Sequence, residues 1–204
     1  INCVLSAGAT VQELKQAPRA ALNVCVYPYD CGVATAMEMQ KRFGIPYLDD
    51  IIPIGFANSA GWLEKIAGFF GIDARPYLQK TIANCFEFIC ANMVFAVTFE
   101  MTAALSLENN NTYAVGISEF LAQEAGVQVL MCSVSSAAAA QRLSATCGEI
   151  LISPTIEQKR DAFVQSAAMV IYGNFYDKKV SMDEGFKNFI FADIPTIGYL
   201  NTEN

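Results

Sequence analysis

Histidine is absent from all 204 residues. That excludes a Ser–His–Asp triad, a Cys–His dyad, and zinc or haem held by imidazole. Charge is also scarce: 16% of residues are charged, against about 25% in an ordinary soluble domain. The thirteen Lys and Arg form no run, and the net charge of −7 argues against a nucleic-acid footprint. No G-x-G-x-x-G follows a strand pattern and no G-x-x-x-x-G-K-[ST] occurs, so NAD-binding Rossmann enzymes and P-loop NTPases are disfavoured. No apolar run is long enough to cross a membrane. The strongest, Phe88 to Phe99, is bracketed by Glu87 and Glu100, well short of the ~20 residues a span needs. The expectation is a soluble chain. Ile1 is preceded by no basic n-region, so no signal peptide is expected.

What is present is apolar: 53% hydrophobic residues with a mean hydropathy of +0.32. This rules out a disordered chain. The seven cysteines are odd in number and scattered, which reads as reduced thiols in a cytoplasmic compartment. Cys3, Cys25, Cys85, Cys90, Cys132 and Cys147 read as small core residues. Cys31 is the exception, because a helix start there would lower its thiol pKa.

The patterning alternates strands and helices. Asn2–Ser6 is strand-like. Thr10 and Glu13 form a capping box ahead of a short helix that Pro18 stops. Ala21–Tyr27 reads as a strand buried on both faces, and Asp30 as the cap of a helix over 31–43 ended by Gly44. Tyr47–Ile54 is extended, and Asn58-Ser59 opens a helix to Phe70. From Ile82, apolar positions 82, 85, 86, 89, 93, 94 and 97 keep helical spacing, and the helix is expected to be buried nearly all round.

Beyond residue 101 strands are expected at 102–107, 127–134, 149–152, 168–172, 189–192 and 196–200. Helices are expected at 112–125, 137–146 with Gly148 as stop, 155–166 and 176–186. This rhythm predicts an α/β protein of Rossmann-like three-layer units with mainly parallel sheets. A first region spans 1–101 and a second 102–204.

Open parallel sheets bind ligands beyond the carboxyl ends of their strands. The candidates there are Tyr27, Tyr29, Asp30, Cys31, Asn109, Asn110, Ser135 and Asn174. These groups orient a ligand but offer little acid–base chemistry at neutral pH. Each has a structural alternative: Asp30 as a helix cap, the Asn run as a turn and helix start. Asn110-Asn111-Thr112 matches a glycosylation acceptor, set aside for a reduced chain.

Leu22 to Gly71, LNVCVYPYDCGVATAMEMQKRFGIPYLDDIIPIGFANSAGWLEKIAGFFG, resembles the nitrogenase component 1 type oxidoreductases, including the dark protochlorophyllide reductase-like members. VQELKQAPRAALN upstream, NNNTYAVGISEFLAQEAGVQV, AAMVIYGNFYDKKV and FADIPTIGYL extend the resemblance over nearly the whole chain. It implies a subunit of Rossmann-like domains that pairs with a homologous component 1 subunit. It also implies electrons arriving from a separate ATP-hydrolysing iron–sulfur reductase.

The resemblance further implies that this is the central and C-terminal part of a longer protein. Its cluster-binding domain has no counterpart here, so any iron–sulfur cluster belongs to the full-length protein and no cofactor is expected in these residues. The family's cofactor-ligating cysteine aligns near Tyr27 or Pro28, and its histidine near Leu200, so no molybdenum–iron cofactor is assigned. On this reading the chain alone is inactive. The alternative is a non-catalytic scaffold or binding module for a tetrapyrrole or a metal-cluster precursor. A two-lobed solute-binding protein is a weaker third reading.

Overall fold

The Thr10 hydroxyl accepts from the Glu13 N–H at 3.2 Å, and the Glu13 carboxylate accepts from the Thr10 N–H at 2.7 Å. This reciprocal cap starts α1 (Val11–Gln16), which tightens into a 3-10 turn at Pro18. The computed structural model describes residues 1–5, 9–50, 52–186 and 188–191. Helix α2 (Gly32–Phe43) ends where Gly44 turns left-handed at φ 70°, and Pro46 follows. Strands β1 (Asn23–Val24) and β2 (Tyr47–Leu48) pair in parallel, and α3 (Phe56–Phe69) and α4 (Arg75–Thr98) complete the first part.

Several expectations in this part need correction. Asn2–Leu5 is irregular, because no described strand offers it a ladder; Ser6 lies outside the described residues. The strand expected over 21–27 shrinks to two residues that are half-buried, with Cys25 the one buried side chain nearby. Among the described residues of the piece expected to be extended at 47–54, only Tyr47–Leu48 pairs with a neighbouring strand. Helix α3 starts at Phe56, not Asn58, because Gly55 at φ 80° permits the turn and a distant carboxylate caps it. Helix α4 starts seven residues earlier than expected. Val94 and Val97 on it are exposed rather than buried.

The second part is a doubly wound unit. β3 (Thr102–Ser106), β4 (Gln128–Val134), β5 (Cys147–Ile152), β6 (Val170–Gly173) and β7 (Phe189–Phe191) form one parallel sheet, ordered β5-β4-β3-β6-β7. The intervening helices are α5 (Asn111–Phe120), α6 (Ala137–Leu143), α7 (Ile156–Ser166) and α8 (Phe175–Asp183). Strand alternation divides the apolar side chains between two layers. Leu105, Cys132 and Val134 pack with Ala114 and Val115 of α5 and Leu143 of α6. Ala104, Met131 and Ile171 pack with Ala162 and Phe163 of α7 on the other face. This is the Rossmann-like three-layer arrangement read from the sequence.

Gly148 is not a helix stop. It lies inside β5, where an added Cβ would sit 2.8 Å from the Leu130 carbonyl oxygen, so it serves close strand approach. The strand expected at 196–200 lies outside the described residues.

Helix α5 also joins the two parts. Ile52, 1% exposed, belongs to the same core cluster as α5. Gly116 lets Ile54 approach: a Cβ there would stand 2.9 Å from Ile54 Cβ and 3.1 Å from Ile52 Cγ2. Gly116→Val is therefore expected to destabilise the protein by about 1–3 kcal/mol through overpacking. The check is the urea midpoint, which should fall with the slope unchanged.

Candidate functional site

The chain leaves the sheet centre in both directions. β3 runs through α5 to β4 on one side, and β6 lies against its other edge. The carboxyl ends of β3 and β6 therefore form the switch-point crevice at which doubly wound sheets bind ligands. The β3–α5 loop, Leu107 to Asn110, forms one wall. The β6–α8 junction at Asn174 forms the other, with Phe175 and Tyr176 strongly exposed beside it.

The first wall is held by a dense hydrogen-bond network centred on Asn111, 5% exposed. Its side-chain oxygen accepts from the backbone N–H of Ser135 at 2.8 Å and of Ser136 at 2.9 Å, which ties the β4–α6 loop to the helix start. The Ser135 hydroxyl donates to the Glu108 carbonyl oxygen at 2.6 Å. Asp30 reaches in from the first part of the chain. It accepts from Asn111 N at 3.1 Å, Asn111 Nδ2 at 2.9 Å and Thr112 N at 3.0 Å.

Asp30 is thus a cap, but of α5 rather than α2. The α2 start is occupied by Cys31, which makes no side-chain cap bond. The reason is geometric: the Tyr27 carbonyl accepts from the N–H groups of Asp30 and Gly32, and the resulting turn directs Asp30 to the neighbouring helix.

Beneath the crevice lies a charge cluster. Lys159 Nζ stands 2.8 Å from Asp177 Oδ1, 3.2 Å from Glu108 Oε1 and 3.4 Å from Ser106 Oγ. The side chains of Lys159 and Asp177 are 12% and 2% exposed. Burial alone would lower the Lys159 pKa. Hydrogen bonding and charge from Asp177, with Glu108, outweigh it, and the net direction is upward. The ammonium stays charged, and the cluster carries one positive and two negative groups.

A second ion pair stands at the seam with the first part. Arg142 Nε and Nη2 donate to the two Glu119 oxygens at 2.6 and 3.1 Å, and Nη1 donates to the Tyr29 hydroxyl at 3.2 Å and the Asp50 carbonyl at 2.6 Å. The hydrogen bond to Glu119 drives the Arg142 pKa further up. Asn58 Nδ2 donates to Glu119 Oε2 at 2.6 Å.

Of the residues singled out from sequence, Tyr29, Asp30 and Ser135 come together around Asn111 and Thr112. Asn109 is exposed at the loop tip, and Asn110 precedes α5 with its side-chain oxygen unpaired. Tyr27 packs its ring 6.0 Å from that of Tyr113, whose pKa is raised by burial first and by Tyr27 second. Cys31 is exposed and takes no part in the network. Asn174 caps α8, accepting from Tyr176 N at 2.8 Å and Asp177 N at 3.2 Å.

Lys159, Asp177, Arg142, Glu119 and Glu124 were not legible as site residues in the sequence, and Glu108 and Asn111 were so only as loop neighbours of Asn109 and Asn110. The Asn174–Asp177 capping spacing was visible, and so was Thr155–Gln158. Nothing in the spacing says that the two helices place Lys159 against Asp177.

The donor set suits orientation of a ligand by amides, hydroxyls and carboxylates. Among the described residues, no group of three or more His, Cys, Asp or Glu is placed to hold a metal ion. Cys25 and Cys132 are buried, and burial raises both thiols; burial also pushes the Cys147 thiol up to about 12. No helix among the described residues is long and apolar enough to cross a membrane.

The profile of the nitrogenase component 1 type oxidoreductases matches residues 1–204. A subunit of the light-independent protochlorophyllide reductase of Leptolyngbya boryana is 28% identical over 193 residues, covering 88% of this chain and 37% of its own length. The corresponding subunit of the Heliobacterium modesticaldum enzyme is 37% identical over 83 residues, covering 41% of this chain and 16% of its own length. A solved structure, nitrogenase Cp1 at pH 6.5, superposes with a TM-score of 0.74 at 14% identity. The match covers 92% of this chain and 42% of that one, and shows the shared fold. The chain spans about 37% of the length of the first of these curated relatives.

Proposed function

Because the chain belongs to the nitrogenase component 1 type oxidoreductase family, we propose that it forms part of a reductase subunit that acts with an ATP-hydrolysing iron–sulfur partner. The observation that carries this reading is the family match along all 204 residues. On this reading the chain supplies a wall of the substrate site and a contact with a homologous component 1 subunit. Electrons enter through a part of the intact protein outside these residues, in the cytoplasm. The chain's own residues bind and orient: Asn111, Ser135 and Asp30 hold the crevice loops, and Asn109, exposed at the loop tip, faces what docks there.

The chemistry of the donor set supports a second reading, a scaffold that holds a tetrapyrrole or a metal-cluster precursor. Amides, hydroxyls and carboxylates surround the crevice, and among the described residues no group of three or more His, Cys, Asp or Glu is placed to hold a metal ion.

The experiment that separates the two is metal and acid-labile sulfide analysis of the intact protein purified anaerobically, with EPR of the reduced sample. Stoichiometric iron and sulfide with a reduced-cluster signal are expected for the reductase. Iron-free protein that is thermally stabilised by a tetrapyrrole would establish the scaffold instead. The 204-residue chain by itself is expected to reduce nothing; turnover without a partner protein would overturn the reductase reading.

A further inference from the structure

Helix α5 is bridged to the first part of the chain at both of its ends, in opposite directions. At its start, the Asp30 carboxylate accepts from the N–H groups of Asn111 and Thr112, and Tyr29 N donates to Thr112 Oγ1 at 3.4 Å. At its end the helix widens into a π turn over Leu121–Ala125 that presents Glu124. The Glu124 carboxylate accepts from the N–H groups of Phe56 at 2.6 Å and Ala57 at 3.0 Å, which caps α3. Each part of the chain therefore supplies the cap for a helix of the other. Between the ends, Gly116 receives Ile54 and Glu119 receives Asn58. Neither helix start is satisfied locally: Asn110 and Gly55 make no side-chain cap bond.

We propose that α5 is a rigid coupling bar that makes the crevice loop and the start of α3 open and close as one unit. The two caps are separated by thirteen residues of α5 and its turn, roughly 20 Å at 1.5 Å per residue. They share no partner, so independent contacts at that distance would respond independently. They are joined by a continuous packed helix whose first residue, Asn111, also holds Ser135 and Ser136 of the β4–α6 loop behind the crevice wall. A disturbance of the crevice loop displaces Asn111, and the bar carries the displacement to Glu124 and α3.

Native-state hydrogen exchange of the full chain tests it, with amides of β4 as the internal reference for global opening. Asp30→Asn is expected to accelerate exchange at Phe56 and Ala57 at least about fivefold relative to β4, although it touches neither. Glu124→Gln is expected to do the same at Asn111 and Thr112. Acceleration confined to the mutated cap would overturn the proposal. Should a variant fail to fold, the unmutated protein in rising urea gives the same decision. One common opening for all four amides supports the bar, and separate openings refute it.

Discussion

Lys159→Met is expected to destabilise the protein by about 3–5 kcal/mol, the range for removing one partner of a buried ion pair. The substitution keeps the apolar stem but leaves Asp177, 2% exposed at its side chain, facing Glu108 with no counter-charge between them. Asp177 Oδ2 still accepts from Asn174 N at 2.9 Å, which does not neutralise it. Glu108→Gln should cost much less, because the Lys159–Asp177 pair survives. Urea unfolding at neutral pH is the measurement, and equal effects of the two substitutions would contradict the cluster's geometry.

The pH dependence has a definite sign. The folded pKa of Lys159 lies above its ordinary value of 10.5. Its contribution is fully present below 10.5 and is lost as pH rises through the folded value. Unfolding of the unmutated protein should therefore show a larger alkaline loss of stability than Lys159→Met, in which only the buried thiols and Tyr113, whose pKa values burial raises, still contribute one.

Arg142→Leu has the second-largest expected effect, about 2–4 kcal/mol, for three reasons that act together. Glu119, 10% exposed at its side chain, loses both charge-assisted hydrogen bonds. The Tyr29 hydroxyl and the Asp50 carbonyl lose their donor. The seam between α6 and the first part of the chain loses its polar clamp. Leucine retains most of the apolar stem, so the loss reports the guanidinium rather than packing. Glu119→Gln with Arg142→Leu should recover part of the loss, since it removes the uncompensated carboxylate. A double-mutant cycle measures this directly, and additivity of the two changes would show that Arg142 and Glu119 do not form the pair.

The residues of the second part declared their architecture plainly. Runs such as Gln128–Val134 and Val170–Gly173, with helices between them, are legible because strand and helix periods depend only on near neighbours. The capping boxes at Thr10, Thr155 and Asn174 were equally local. The first part was legible as helices but not as strands: Ala21–Tyr27 has the composition of a buried strand and finds a partner over only two residues. Strand length depends on what lies alongside, and composition does not carry that.

The candidate site divides in the same way. Sequence placed Tyr29, Asp30 and Ser135 in loops beyond strand ends, because an α/β rhythm dictates where loops fall. It could not determine that Asp30 caps α5, 81 residues away, or that Glu124 caps α3. Nor could it pair Lys159 with Asp177, since their meeting depends on how α7 and α8 lie on one face of the sheet. What the amino acids determined alone was the class of fold, the family resemblance and the absence of imidazole chemistry. Only tertiary structure decided which charges are partnered. A carboxylate's partner is set by three-dimensional distance, and the periodicities of a single chain encode direction along an element rather than the neighbour it meets.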